Sequence, residues 1–314
     1  MKLKKLISLS TFALCITALS GCAAPQKTPL GDYWNENALV FETIHETLVY
    51  DVTFQKGASY GYDLAYTNGT YTTILKSGVN ENGDNLYIYN TELSLDVTYT
   101  LGDQSVVLHD YVTTEVMFLP AKNGLLPLSS KKSIVSHSPL ISKPVKLEDC
   151  YATFEYQIET TYTENGGETK IFTEQAENRH SFTFPNANYY HLDNEQLLLA
   201  LRAIPSSVSS TRFLSYSPFA KNVQNIAVVY GATAEGEFEF KKNGSAEKIK
   251  ETISHRSVQI QLDEKDTGFA QKALIATTTD SYANKNRNVL LRLETPLYQA
   301  IGTFIYQLSS VNYQ

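Results

Sequence analysis

The dominant pattern along the chain is an alternation of apolar and polar residues, which is typical of strands with one buried face. It is clear in Leu48–Phe54 and in Leu95–Leu101, where every second residue is apolar. The same pattern returns at 154–159, 237–240 and 258–262. Alternation of this kind predicts antiparallel strands in a sheet with one face exposed to water.

Turn signals separate these stretches at regular places. Asn-Gly and Gly-Gly dipeptides occur in Asn80–Asn85, Thr163–Thr169 and Lys241–Glu247, and such dipeptides favour tight antiparallel connections. The chain also carries 21 Tyr and many Thr, which strands favour. We therefore predict a mainly β protein built on a large curved antiparallel sheet.

One segment, HLDNEQLLLALRAIP, follows a helical pattern instead. Asp193 can cap its start with Gln196 three residues later, and Pro205 ends it. A helix over about 193–204 would be apolar over most of its circumference, so we expect it to lie buried across the concave face of the sheet. It either plugs the core or lines a cavity whose other wall is the sheet. The candidate cavity-lining residues are Leu197, Leu198, Leu201 and Ile204.

The start of the chain has the features of an export signal. Three lysines precede the apolar run Leu6–Ala18, which is too short to span a bilayer comfortably. The run ends in Leu19, Ser20, Gly21 and Cys22, which match the lipobox of bacterial lipoproteins. That resemblance implies cleavage before the cysteine and diacylglycerol on its thiol. The alternatives are an ordinary signal peptide with a chance cysteine and a buried N-terminal helix.

These features predict three parts of the chain. Residues 1–21 form the signal peptide, residues 22–42 form the lipidated N-terminus and a polar tether, and residues 43–314 form a single β-rich domain. The mature protein is then exported and anchored to the bacterial membrane by the lipid at Cys22. Two or more acyl chains hold a protein firmly on a membrane face.

Charge and cysteine content narrow the partners. Loss of the signal peptide leaves 23 basic against 33 acidic side chains, a net charge near −10, which argues against nucleic acid. Cys15 leaves with the signal peptide and Cys22 carries lipid, so Cys150 is the one remaining thiol. We expect no intrachain disulfide, and we interpret Cys150 as a small apolar residue beside a strand.

No motif in the sequence indicates catalysis. The chain lacks a His-Glu-x-x-His motif, a glycine-rich phosphate loop and a nucleophile elbow, and its six histidines are spaced too widely for a ready metal site. Ser129 and Lys132 fit Ser-x-x-Lys, but the supporting motifs of serine acyltransferases are missing. We expect no enzymatic activity, no metal and no cofactor. Carboxylates paired across strands, as a glycosidase needs, are the open alternative.

The order of segments resembles a known architecture. DYVTTEVMFLPAKNGLLPLSSKKS at Asp110–Ser133 is followed by strands, then by YYHLDNEQLLLALRAIP, then by more strands, and finally by LLRLETPLYQAIGTFIYQL at Leu290–Leu308. This resembles a bacterial envelope domain family of unknown function with the half-barrel fold of lipoprotein-carrier proteins. The resemblance implies a curved sheet around a hydrophobic cavity closed by helices.

Two functions are compatible with this interpretation. The first is non-catalytic binding of a lipid or other apolar ligand in a half-barrel cavity. The alternative is a structural or accessory lipoprotein that binds another envelope protein or a cell-wall polymer through its outer face, which is rich in Tyr and Thr.

Overall fold

The computed structural model describes residues 45–80, 82–83, 85–121, 124–140, 143–174, 176–185, 189–262, 271–277, 288–297 and 300–313. The predicted signal peptide and tether lie outside these residues, as do the four lipobox positions Leu19, Ser20, Gly21 and Cys22.

The described residues form one sheet of 15 strands with a single short α-helix. The sheet order is β8-β7-β6-β5-β4-β3-β2-β1-β15-β14-β13-β12-β11-β10-β9. The strands are β1 (His45–Lys56), β2 (Asp63–Val79), β3 (Asn85–Leu101), β4 (Gln104–Ala121), β5 (Gly124–Pro139), β6 (Tyr151–Thr163), β7 (Gly166–Phe172), β8 (Glu177–Thr183), β9 (Tyr190–Leu192), β10 (Ser210–Ser217), β11 (Asn222–Lys242), β12 (Lys248–Leu262), β13 (Gln271–Ala276), β14 (Leu290–Pro296) and β15 (Gly302–Tyr313).

The predicted fold class is confirmed. The alternating stretches lie in β1, β3, β6, β11 and β12, and neighbouring strands pair antiparallel except for β9 with β10 and a short contact of β11 with β15. In β3 every second residue from Tyr89 to Tyr99 is buried except Leu93, which is half-buried. Sequence alternation therefore corresponds to the two faces of the sheet.

The turn chemistry explains two of the hairpins. Between β11 and β12, Asn243 and Gly244 both have positive φ, at 49° and 77°, as a hairpin turn with the twist of the strands requires. Between β6 and β7, only Glu164 and Asn165 separate the strands, and Gly166 opens β7 where a Cβ would meet the backbone oxygen of Phe182 at 2.1 Å. The glycine is needed there because β8 approaches closely.

The sheet closes on itself at two places. The C-terminal end of β11 pairs in parallel with β15 through Lys241 and Ser310, which completes a ring of the five strands β11 to β15. The outer edges meet through side chains, because Phe182 of β8 stacks on Tyr216 of β10 with ring centroids 4.0 Å apart. The sheet thus encloses an interior.

The helix α1 (Leu197–Arg202) lies in that interior and is preceded by a 3-10 turn, Asn194–Gln196. The predicted cap is present, since the Asp193 carboxylate accepts from the Glu195 amide and Gln196 Oε1 accepts from the Asp193 amide. The regular helix is shorter than the predicted 193–204 because its first turn is 3-10 and the chain leaves the helix before Pro205. No helix in the described ranges is both long and apolar enough to cross a bilayer.

Two main groups of buried side chains fill the interior at different depths. The larger surrounds α1 and includes Leu48, Tyr89 and Phe213. The second includes Val97 and Cys150 and is covered by a 3-10 turn, Leu147–Cys150. Because Cys150 is fully buried, the pKa of its thiol is raised.

A buried ion pair fixes the helix to the sheet. Arg202 Nη1 and Nη2 donate to the two carboxylate oxygens of Glu46 in β1, at 2.7 and 2.9 Å. Arg202 is 2% exposed and Glu46 is 1% exposed. Arg202 Nε also donates to the Asn288 carbonyl oxygen at 3.0 Å. In a dry interior such charges are tolerated only when they are paired and hydrogen-bonded.

We expect Arg202→Met to lower the free energy of unfolding by about 3–5 kcal/mol, because it leaves the Glu46 carboxylate buried without its partner. Urea unfolding measures this loss. The Glu46→Leu/Arg202→Met double variant should recover much of it, since no charge is then stranded.

Arg179→Met is the control, because Arg179 and Glu177 form an exposed pair. Its loss should not exceed about 1 kcal/mol. Equal losses for Arg202→Met and Arg179→Met would show that the buried pair does not fix the helix.

Candidate functional site

The largest interior space is a cavity of about 600 Å³ between α1 and the inner face of the sheet. Along β3, Tyr89 belongs to the larger core and Val97 belongs to the second core. Thr91 and Leu93 stand between them and line the cavity, so the cavity lies between the two cores. Its other apolar walls come from Tyr71, Val112, Ile134, Ile260, Leu293 and Tyr306. The volume lies within the range of about 300–1,000 Å³ that holds small ligands.

The four predicted cavity-lining residues do not share one space. Leu197 and Leu198 line the 600 Å³ cavity. Leu201 and Ile204 line a separate space of about 70 Å³ on the far side of the helix, beside Arg256. The helix surface is therefore divided, and its N-terminal half is the part that faces the large cavity.

Arg256 holds the chain after the helix in place. Its guanidinium lies over the Tyr230 ring, 4.4 Å from the centroid, and Nη1 donates to the Pro205 carbonyl oxygen at 3.3 Å. Nη2 also donates to the Val208 carbonyl oxygen. These contacts fix the segment that closes the small space beside Leu201.

A polar wall bounds one part of the large cavity. Lys132 of β5 forms an ion pair with Glu195 of the 3-10 turn. Burial lowers the pKa of Lys132, but the charge and hydrogen bond of Glu195 raise it by more, so its pKa stands above the ordinary value. Lys132 is therefore a cation held against an anion at the cavity surface.

The same pair also lines a second cavity of about 120 Å³. The residues common to both cavities are Lys132, Asn194, Glu195, Ser217 and Gln224. Lys132 and Glu195 thus stand where the two spaces adjoin. Thr114 lies in the wall of the smaller cavity, and its buried hydroxyl has no hydrogen-bond partner within the described part of the chain.

Asp193 supports this polar wall from behind. Its carboxylate accepts from the Tyr162 hydroxyl at 2.6 Å, from the Glu195 amide at 2.9 Å and from the Ser130 hydroxyl. Burial raises the pKa of Asp193, and these hydrogen bonds offset part of the rise. The network connects β5 and β6 to the 3-10 turn and so positions Glu195.

The two tyrosines of the cavity are neutral hydrogen-bonding groups. Burial raises the pKa of Tyr306 to about 12, with a further contribution from the Glu195 carboxylate. Burial likewise raises the pKa of Tyr71 well above its ordinary value. Their rings meet edge to face with centroids 5.4 Å apart, which gives the cavity a largely uncharged aromatic wall.

Exposed aromatic side chains border the smaller cavity. Phe219 lines it and is 55% exposed. Its ring meets the ring of Tyr156 edge to face with centroids 5.2 Å apart, and Tyr156 stacks on Phe154, which is 37% exposed. These three rings form an apolar rim where the interior reaches the surface.

The outer face carries a different feature, a polar groove of about 560 Å³ across β2 to β6. Glu92, Glu115, Lys131 and Glu159 line it, and Lys131 pairs with Glu159 at 3.6 Å. Ser129 and Lys132, the two residues of the Ser-x-x-Lys match, lie three positions apart on β5. Because strand side chains alternate, they point to opposite faces, so the match does not form an acyltransferase pair.

Two of the histidines pair with aspartates on neighbouring strands. His137 Nδ1 and Asp110 Oδ1 are 2.8 Å apart, and His109 Nδ1 and Asp96 Oδ1 are 2.9 Å apart. Among the described residues there is no group of three or more His, Cys, Asp and Glu side chains that could hold a metal ion.

Sequence reasoning missed the polar half of the site. Lys132 and Glu195 are 63 residues apart, and nothing local marks them as partners. One signal was available in the sequence. Lys132 is two residues from Ser130 and two from Ile134 on β5, so all three side chains lie on the inner face of the sheet. A lysine on the inner face of a sheet needs a partner, and Glu195 stands beside the predicted helix cap.

Comparisons with known proteins identify a similarity of fold. No family model matches the chain, and no curated protein matches it at a significant level. Among solved structures, the chain is similar to a crystal structure of a beta-barrel-like protein of domain of unknown function DUF1849 from Brucella abortus. The two share 11% identity with a TM-score of 0.49, over 87% of this chain and 99% of the other. Similarity at this level carries no information on function.

The raised pKa of Asp193 predicts a pH dependence of stability. The Asp193 carboxyl holds its proton more tightly in the folded protein than in the unfolded chain. Its contribution to the free energy of unfolding is therefore full below pH 3.8, the pKa in the unfolded chain, and is lost as pH rises through the folded pKa. We expect the free energy of unfolding of the wild type, relative to Asp193→Asn, to fall as pH rises through this window.

Chemical denaturation at a series of pH values measures the difference. Val107, which is exposed and has no titratable group, is changed to Thr as the control and should show no such trend. A wild-type advantage over Asp193→Asn that grows with pH would contradict the assignment.

Proposed function

We propose that this chain is an exported, lipid-anchored and non-catalytic binding protein that holds an apolar or amphipathic ligand inside its sheet. The observation that carries the proposal is the 600 Å³ cavity between the N-terminal half of α1 and the inner face of the sheet. Ten of its lining side chains are apolar and eight are polar, a mixture that suits a ligand with an apolar part and a polar part.

The helix supports this function because it is fixed rather than loosely packed. Arg202, Arg256 and Glu195 each hold one part of the segment against the sheet. A cavity bordered by such a segment keeps its shape without a ligand, and a preformed site loses less free energy to ordering on binding. The aromatic rim at Phe219 provides an apolar approach to the interior.

The anchor is proposed from the sequence alone. The order of basic residues, apolar run and Leu-Ser-Gly-Cys at 19–22 supports lipidation of Cys22. A binding site on a membrane-tethered protein would meet lipid-derived ligands at high local concentration.

The alternative function is contact with another envelope protein or a cell-wall polymer. It is favoured by the groove of about 560 Å³ on the outer face, whose hydroxyl, amide and carboxylate groups suit a polar and hydrated contact. Under this alternative the interior would carry no ligand.

The cavity proposal predicts that protein purified from its host without the lipid anchor carries a bound amphiphile, which solvent extraction and mass spectrometry can identify. Leu198→Trp should remove most of that ligand, because the larger side chain extends into the cavity. Val107→Trp is the control, since Val107 is 64% exposed on β4, and should retain the ligand. If the wild type yields no ligand and binds no apolar dye, the alternative function replaces the cavity proposal.

The anchor proposal predicts that cells fed labelled palmitate incorporate label into the wild-type chain but not into Cys22→Ser. The thiol is the acceptor, and serine offers no equivalent nucleophile. Cys150→Ser is the matched control and should remain labelled. Label in the Cys22→Ser chain would refute the assignment of the lipid to Cys22.

A further inference from the structure

The polar wall of the cavity has a charge pattern that selects among amphiphiles. The charged side chains that line the two adjoining cavities, among the residues described, are Lys132, Glu195 and Asp193. Asp193 is already occupied by the hydrogen bonds from Tyr162, Ser130 and the Glu195 amide. Lys132 and Glu195 are therefore the charged groups that a ligand can contact, and together they carry no net charge.

The same wall has hydrogen-bonding capacity that the protein does not use. The ammonium of Lys132 has three donors, and in the part of the chain that the structure describes it bonds only to Glu195. Thr114 is 4% exposed, yet its hydroxyl has no hydrogen-bond partner among the residues that the structure describes. A buried hydroxyl without a partner costs free energy, so a ligand that supplies one gains stability there.

The neighbouring groups are uncharged. Asn194, Ser217 and Gln224 line both cavities and offer amide and hydroxyl groups that can donate as well as accept. A ligand hydroxyl can accept from Lys132 and donate to Glu195 at the same time. An anionic group would lie beside the Glu195 carboxylate and an ammonium beside Lys132, and each would bury an uncompensated charge.

Resting on the proposed function, we propose that this wall binds the polar end of a single-chain amphiphile that has hydroxyl groups and no net charge, such as a monoacylglycerol. The apolar chain then lies along Leu197, Leu198 and Tyr306. The cavity volume suits one chain with a small head, because a two-chain phospholipid is larger than a space of 600 Å³.

Three ligands with one acyl chain length test this specificity: monooleoylglycerol, oleate and oleylamine. Each ligand is titrated into delipidated protein that holds the neutral dye N-phenyl-1-naphthylamine, below the concentration at which the ligand forms micelles. The loss of bound dye gives the affinity of the ligand. We expect the wild type to bind monooleoylglycerol at least about tenfold more tightly than either charged ligand.

The charge variants give the sharper result. Glu195→Gln leaves Lys132 without its counter-charge, so the affinity for oleate should rise at least about tenfold relative to monooleoylglycerol. Lys132→Met leaves Glu195 alone and should shift preference towards oleylamine by a similar factor. Lys131→Met and Glu159→Gln alter the neighbouring pair on the outer face and should leave all three affinities unchanged.

The outcomes separate the two proposals. If the ligands bind but both charge variants keep the wild-type order of affinities, or if the wild type prefers oleate, the proposed specificity is wrong while the cavity proposal stands. If none of the three ligands displaces the dye from the wild type, both proposals are overturned. Circular dichroism of each variant confirms that the fold is intact.

Discussion

The buried pair of Arg202 and Glu46 is the interaction on which the arrangement of the interior depends. It places a charged helix residue and a charged strand residue in the buried interior, where each compensates the charge of the other. This requirement fixes both the depth and the rotation of α1 relative to β1. The segments on either side of the helix are held as well, because Lys132 pairs with Glu195 in the turn before the helix and Arg256 donates to the Pro205 carbonyl oxygen after it.

A helix fixed at that depth leaves the middle of the sheet unfilled. The enclosure is bounded by 15 strands, while α1 has only six residues, so it fills one end and the tyrosine-rich second core fills the other. Protein interiors otherwise pack densely, and a void of about 600 Å³ forfeits contacts along its whole lining. A ligand that fills this space would recover those contacts, and this is the physical basis on which we propose the cavity as a binding site.

The sequence predicted the parts of this structure that depend on local pattern. Alternation at Leu48–Phe54 and Leu95–Leu101 identified strands, and Asp193 with Gln196 identified the helix cap, because these signals act between residues close in the chain. The predicted helix is present, but its regular α-helical part covers only Leu197–Arg202, since the first turn takes the 3-10 form. Glu46 and Arg202 are 156 residues apart, and their pairing is decided by sheet closure, which no local pattern contains.

Glu46 also connects the interior to the start of the domain. It is the second residue of β1, which pairs with β2 on one side and β15 on the other. Whatever precedes His45 in the chain therefore joins a strand held by hydrogen bonds on both edges. The helix, and with it one wall of the cavity, is bonded to that same strand through Arg202 and Glu46. In the lipid-anchored protein that we propose, the predicted tether would therefore join the domain at the strand that also holds the helix.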